Sequence, residues 1–361
     1  MAPSYNHRVS EPSQTGRSPR ARSRARGVVY ALLSAVLFGG STPIVRPALD
    51  RADPVASAGY LYLGQTIVLG IWWLVARAAG SRREAALGRA DLGPLLAGTI
   101  AGGLIAPVAF TSGLALIPAH RASLLLGLEI VFTLLIAIGF RGERLSPRGW
   151  MGAAMLLAAG VLISWPSASA GPVGPAASTV ASTAVSAAFV PVGLSTAGVL
   201  LIVVACLGWA TDSNITAGIA GKDPTAIALV KGIAASVAYL GGCAIFGRRL
   251  TAPPGDLVAL LAAGAIGYGL SLRLFIVALR HLGAALTTTV FSTAPIAGFA
   301  LSVLLLGESP AIAGWAAFVL AGAGVAIVSG WRHDDVPVPG TPEDGDARAR
   351  HTMDPETGSL S

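Results

Sequence analysis

Charge is what this chain lacks most. Only 12% of its 361 residues are Asp, Glu, Lys or Arg, about half the share of a soluble domain at roughly 25%. With 53% hydrophobic residues and a mean hydropathy of +0.69, the bulk of the chain belongs in lipid, not water. Cysteine is almost missing: Cys206 and Cys243 both fall inside apolar runs, which excludes a disulfide framework. No Gly-rich loop ending in Lys-Ser or Lys-Thr is present, so no ATP motor is encoded. Intramembrane His pairs and the His-Glu-x-x-His pattern are missing, and His333 and His351 stand too far apart for a metal site. Neither a nucleophile nor a metal cluster marks a membrane interface. An enzyme is therefore not expected, and no cofactor is implied. The net charge of +7 comes from Arg17 to Arg26 and from short loops, so it reads as a topology signal and not as a nucleic-acid surface.

What is present is apolar sequence in blocks. A helix needs about 20 apolar residues to span the hydrocarbon core, and ten segments qualify: 28–49, 55–76, 92–117, 121–140, 147–165, 194–219, 224–246, 255–279, 283–306 and 310–331. Asp53-Pro54, Ser146-Pro147, Asp223-Pro224 and Ser309-Pro310 each set a capping residue before a first-turn proline. The 45 glycines suit close helix packing in lipid.

The halves resemble each other. Asp53-Pro54 recurs 170 residues on as Asp223-Pro224, and Gly142-Glu143 with Trp150 recurs 165 residues on as Gly307-Glu308 with Trp315. Each repeat holds five segments, and an odd number forces the second copy to cross upside down. The predicted fold is an all-α membrane protein of ten transmembrane helices in two inverted five-helix repeats. The substrate site of such folds lies near the bilayer midplane, between the copies. The expected organisation is a disordered basic cytoplasmic arm at 1–26, repeats at 27–166 and 193–331, an uncharged outer linker at 167–192 and a disordered cytoplasmic tail at 332–361. The linker has an alternative reading as a small-residue membrane segment. The first helix reads as a retained signal-anchor. Arginines alternate between loops so as to place both termini in the cytoplasm, which implies the cytoplasmic (inner) membrane.

Charges within spans cost about 2.5–3.5 kcal/mol at a helix centre and are functional candidates by default. There are five: Arg46, Glu129, Asp212, Lys231 and Arg273. Arg46 and Arg273 lie near helix ends and can snorkel to headgroups. Glu129 is about 13 Å from either end of its segment at 1.5 Å per residue. A carboxylate in apolar surroundings favours its protonated form and gives up the proton when water reaches it. Glu129 thus has three readings: a proton-coupling group, a structural partner of Lys231, or a binding group for a substrate amine. Asp212 and Lys231 share one depth on neighbouring helices, as an ion pair or as a site for which substrate competes. At an offset of 170, Ser41-Thr42-Pro43-Ile44 lies over Thr211-Asp212-Ser213-Asn214. This polar, helix-weakening patch at equivalent places is expected to meet at the centre, with Pro43, Pro107 and Pro295 as kinks. Tyr60, Tyr62 and Tyr268 are candidate lining, whereas Trp72, Trp73, Trp150, Trp165, Trp315 and Trp331 fit an interfacial belt. Glu143 and Glu308 read as helix-end caps.

Several stretches resemble the EamA-type branch of the drug/metabolite transporter superfamily. They are Phe38-Gly39-Gly40-Ser41-Thr42-Pro43, Leu128-Glu129 followed by Gly142-Glu143, and Trp209-Ala210-Thr211-Asp212-Ser213-Asn214. Others are Leu229-Val230-Lys231-Gly232, Arg280-His281-Leu282-Gly283-Ala284-Ala285 and Phe291-Ser292-Thr293-Ala294-Pro295. The resemblance implies ten helices in inverted repeats and movement of small metabolites, amino acids or drugs without ATP hydrolysis. Many relatives carry a proline where this chain has Glu129 or Ile130, a departure that suggests a charged central site. The resulting expectation is a secondary transporter, an exporter working by alternating access with proton coupling. Its central cavity is expected between the first, fourth, sixth, seventh and ninth helices. Substrate-binding or coupling residues are Glu129, Asp212, Asn214, Lys231, Ser41, Thr42 and Thr293. Its partners are a small-molecule substrate, membrane lipid, protons and a second copy of the chain. The alternative is a non-transporting membrane scaffold or sensor in which the charges are buried pairs.

Overall fold

The computed structural model describes residues 19–80, 84–141, 147–164 and 194–329. The expected linker at 167–192, the tail at 332–361, most of the arm, Gly142-Glu143, Trp165 and Trp331 lie outside the described residues. Among the described residues every regular element is a helix. Nine are long and apolar enough to cross a membrane, and a tenth is apolar but shorter, Ile312–Ile327. In chain order they are α1 (Pro19–Ala48), α2 (Pro54–Ala78), α3 (Arg89–Leu114), α4 (Ala119–Phe140) and α5 (Pro147–Ser164). There follow α6 (Leu194–Ile219), α7 (Pro224–Ile245), α8 (Pro254–Gly283), α9 (Leu286–Leu306) and α10 (Ile312–Ser329).

The helix starts follow from local chemistry. Asp53 Oδ1 accepts from the backbone N–H of Val55 at 2.8 Å and of Ala56 at 3.1 Å, with Pro54 in the first turn. Asp223 does the same for Thr225 at 2.8 Å and Ala226 at 3.3 Å. Each cap satisfies donors that a helix start leaves open. Helix α1 begins at Pro19, inside the arm expected at 1–26, because alternating Arg and Ala are strong helix formers. It continues through Pro43 and Pro47 to Ala48, so the expected weakening at Pro43 does not break it.

Equivalent helices carry equivalent irregularities. Helix α3 contains a seven-residue π-helical stretch, Thr99–Ile105, and α8 contains another, Gly264–Leu270, 165 residues on. Helix α4 is interrupted at Leu126-Gly127 and α9 at Ser292-Thr293. The turn between α8 and α9 needs Gly283, whose φ of 75° is left-handed backbone that a side chain disfavours.

Contacts cross between the halves. Gly59 meets Tyr239 and Leu240 while Gln65 meets Gly232, so α2 and α7 run antiparallel. Helix α1 packs on α8 and α9: Gly27 lies by His281, Ser34 by Ser271, and Gly39 by Ala294. Helix α6 packs on α3 and α4 in the same way: Gly198 lies by Gly113, Asp212 by Gly98 and Asn214 by Thr133. Helices α5 and α10 pair through Gly324 on Gly152 and Gly314 beside Ile163. The end of the bundle where α1 finishes holds the largest apolar cluster, with Phe110, Phe299, Leu114 and Ile117 fully buried. Large apolar side chains also face outward, among them Leu74, Val75, Leu304 and Val319, as a lipid-facing surface requires.

Candidate functional site

Where α1 and α6 approach, Phe38 and Trp209 meet edge to face with ring centroids 5.4 Å apart. Beside them is a cavity of about 600 Å³, its open mouth included, bordered by α1 to α4 and α6 to α9. The five-helix lining expected from sequence left out α2, α3 and α8; of these, α2 and α8 bring the expected lining residues Tyr62 and Tyr268, and α2 and α3 add Gln65 and Gly102.

Three of the expected site residues converge here: Glu129, Asp212 and Lys231. Lys231 Nζ, 2% exposed as a residue, donates to Asp212 Oδ1 at 2.5 Å and to Thr216 Oγ1 at 2.7 Å. Thr216 Oγ1 in turn donates to Asp212 Oδ1 at 2.9 Å. Lys231 therefore pairs with Asp212 and not with Glu129. Room for the pair comes from α3, whose Gly98 and Gly102 lie one turn apart against Asp212. A Cβ at Gly98 would sit 2.5 Å from Asp212 Oδ1, and one at Gly102 would overlap the carboxylate outright. The carbonyl of Gly102, within the π-helical stretch, accepts from Tyr62 OH at 2.9 Å and from Trp209 Nε1 at 3.1 Å. The widened turn thus fixes both aromatic walls.

Glu129 is 7% exposed. It stands in the first turn of Leu128–Arg141, the half of α4 that follows the interruption at Gly127. It is thus not midway along an unbroken helix, as the sequence implied, but at a helix N-terminus inside the bundle, where backbone N–H groups favour negative charge. Its carboxylate makes no hydrogen bond and no ion pair with any described residue, whereas its backbone carbonyl accepts from Thr133 Oγ1 at 2.8 Å.

The other expected residues stand apart from the cavity wall. Asn214 Nδ2 donates to the carbonyls of Ala210 at 2.9 Å and Thr133 at 3.3 Å. Ser41 Oγ donates to the Phe38 carbonyl at 2.6 Å and packs on Gly267. Thr42 is buried with its hydroxyl unpartnered, and Thr293 Oγ1 donates to the Val290 carbonyl at 3.0 Å. The arginines that sequence placed near headgroups have protein partners. Arg46 pairs with Asp50 at 2.7 Å, and Arg273 donates to Thr225 Oγ1 at 3.0 Å and stacks on Trp72 at 4.6 Å. Trp72 and Trp315 do more than line an interface, since Trp315 packs edge-on against Phe299 at 5.4 Å.

Two polar groups on the wall were not singled out as ligands. Gln65, fully buried, donates through Nε2 to the Ala228 carbonyl at 2.7 Å and leaves Oε1 unpartnered. The hydroxyl of Tyr268 is also unpartnered. Gln65 is the one glutamine inside an apolar segment, which is the signal that was available. Among the described residues no group of three or more His, Cys, Asp or Glu forms a metal site.

Away from the cavity, interhelical pairs hold the two ends. Where α1 finishes, Arg51 forks onto Asp256 at 2.6 and 2.7 Å, and Arg248 reaches Asp53 at 2.9 Å. At the same end Glu308 accepts from the backbone N–H of Ala119 at 2.9 Å and of His120 at 2.8 Å, capping α4 from the other half. At the opposite end Lys222 meets Asp91 at 3.4 Å and Arg280 pairs with Glu84.

Comparison with known proteins accords with this arrangement. A solved crystal structure of another protein matches 86% of this chain and 99% of its own length, with a TM-score of 0.61 at 18% identity, a likeness of fold. A protein of Methanothermobacter thermautotrophicus described as an uncharacterized transporter is 23% identical over 298 residues, covering 79% of this chain and 80% of that one. The model of the EamA-like transporter family matches twice, over residues 25–165 and 196–330, one match to each half. The chain, a multi-pass membrane protein with a largely apolar cavity that holds charged side chains where its halves meet, belongs to the EamA-like transporter family.

Proposed function

We propose that this transporter is a secondary carrier moving a small metabolite, amino acid or drug outward across the cytoplasmic membrane by alternating access, with Glu129 as the proton-coupling group. The observation that carries the reading is a buried carboxylate with no partner among the described residues, facing a cavity where the first helices of both halves meet. Ten spans in two inverted repeats, 27–166 and 193–331, form its frame. The antiparallel α2 and α7 and the matched α1–α8 and α6–α3 contacts support that frame, since equivalent helices related by an axis in the membrane plane must run oppositely. Both termini then lie in the cytoplasm, and a homodimer is compatible with the apolar outer face.

The moving bodies on this reading are not the two repeats taken whole. Helix α1 is clamped to α8 and α9, and α6 to α3 and α4, so each body mixes helices of both halves. Asp212 and Lys231 form the polar wall between them. The paired π-helical stretches sit where α3 and α8 border the cavity, and such single-turn irregularities concentrate at functional sites.

Proteoliposomes test this. With protein reconstituted and a pH-sensitive dye inside, amino acids and amines added outside should move protons only when a substrate is present. Glu129→Gln should abolish that signal while the protein still elutes as a folded species. Proton-independent flux in the variant equal to that of the parent protein would remove Glu129 from the mechanism. A folded variant with altered stability alone, and no flux in either protein, would favour the scaffold reading.

A further inference from the structure

We infer that the cavity selects an organic monocation, a protonated amine on an aromatic or apolar body, and that Glu129 is its counter-ion. The inference rests on reading this cavity as the transport site, and it names the substrate class of that site. The charge balance comes first. The described cavity lining carries two carboxylates, Glu129 and Asp212, and one ammonium, Lys231. Lys231 is committed: its Nζ is held by Asp212 at 2.5 Å and by Thr216 at 2.7 Å. One negative charge is left without a partner among the described residues. A substrate carboxylate would find no free cation on this wall, and taking Lys231 would strand Asp212 in apolar surroundings, which is costly. A substrate cation meets a carboxylate that lacks one.

The rest of the wall has the same preference. Phe38 lies at the centre of a ring cluster, with centroids 5.4 Å from Trp209 and 5.6 Å from both Tyr268 and Phe291. Tyr62 packs on Tyr268 at 5.7 Å, and Phe275 on Phe291 at 5.0 Å. Ring faces attract cations, most strongly where water is excluded, and they give an apolar body its contact area. The unpartnered polar atoms are oxygens: Gln65 Oε1, which only accepts, and the Tyr268 hydroxyl. Acceptors left open beside an open carboxylate fit the N–H groups of an ammonium. A proton on Glu129 neutralises the same charge, so proton and amine compete for one carboxylate and exchange one for one. Asp212 and Cys206 of α6 interact electrostatically with that carboxylate, and Lys231 of α7, Tyr62 of α2 and Tyr268 of α8 border the same cavity.

A matched series tests the charge rule on the full-length protein in detergent, read by quenching of tryptophan fluorescence, since Trp209 borders the cavity. Phenethylamine, phenylalanine and phenylacetate share one aromatic body and differ in charge. Phenethylamine should bind at least tenfold tighter than the other two. Glu129→Gln should lose that tenfold, and Glu129→Asp should keep the preference. The series on the unaltered protein stands even where a variant fails to fold. Equal or tighter binding of phenylalanine or phenylacetate overturns the inference, as does undiminished amine binding in a folded Glu129→Gln protein, or no binding of any of the three. The two readings fail separately. Phenylalanine that binds and moves in vesicles removes the charge rule and leaves transport. Selective amine binding without flux leaves the charge rule and removes transport.

Discussion

The ammonium of Lys231 and the carboxylate of Asp212 stand 2.5 Å apart, on α7 and α6, with Thr216 bonded to both. Breaking a buried pair from one side leaves the other charge uncompensated, at about 3–5 kcal/mol. Lys231→Met and Asp212→Asn should each lower the melting temperature in detergent by many degrees, while the double variant recovers most of the loss. A double-mutant cycle on thermal midpoints checks this. Additive losses in the double variant would mean that the two groups do not stabilise one another.

Much of this frame was legible because its signals are local. Asp53-Pro54 and Asp223-Pro224 state a helix start within four residues, and the structure uses both as caps. The first-helix patch also pointed to the centre, but one residue out of register. At an offset of 170, Asp212 lies over Thr42. The packing instead sets Asp212 on Gly102 and Ser41 on Gly267. Those two glycines are 165 residues apart, so Asp212 and Ser41 are equivalent at 171. Neighbouring helices decide that register, and no pattern within one helix reports it. Glu129 was found from its charge alone, but its place at the start of a half-helix depends on the break at Gly127, which hydropathy does not register. The π-helical stretches leave no compositional mark beyond scattered glycine. Gln65 was passed over because a lone amide in an apolar run resembles a packing residue until its carbonyl oxygen proves unpartnered.

Glu308 ties the α9–α10 connection to the start of α4, with His120 Nδ1 2.7 Å from its Oε2. Burial alone would raise its carboxyl group. The His120 side chain and the backbone N–H groups of His120 and Ala119 outweigh that and hold it below the usual glutamate range. A group lowered in the folded state stabilises above its unfolded value, about 4.3, and the gain is lost as pH falls through the folded value. The thermal midpoint should therefore drop as pH is lowered from about 5 to about 3. Glu308→Gln should flatten that limb and lower the midpoint at neutral pH, since hydrogen bonds to a charged group contribute about 1.5–3 kcal/mol. Melting curves across that range decide it; an unchanged acid limb in Glu308→Gln would assign the acid sensitivity to other groups.

Gly102 offers a test of how closely α3 and α6 are fitted. A side chain at this position has no direction in which to relax, because a Cβ there overlaps the Asp212 carboxylate while the carbonyl of the same residue is bound by Tyr62 and Trp209. Overfilling a packed contact costs about 1–3 kcal/mol, and here it also pushes Asp212 away from Lys231. Gly102→Val should therefore reduce folded yield and thermal midpoint sharply. Gly93→Ala, with no atom within 4 Å of its added Cβ, should leave both unchanged. Gly102→Ala separates the two effects. Combined with Asp212→Gly and Lys231→Met, which removes the whole obstructing side chain, Cβ included, and its counter-ion together, it should melt close to the Asp212→Gly, Lys231→Met protein itself. If the alanine costs as much without Asp212 as with it, the strain lies in the π-helical backbone and not in the contact with α6.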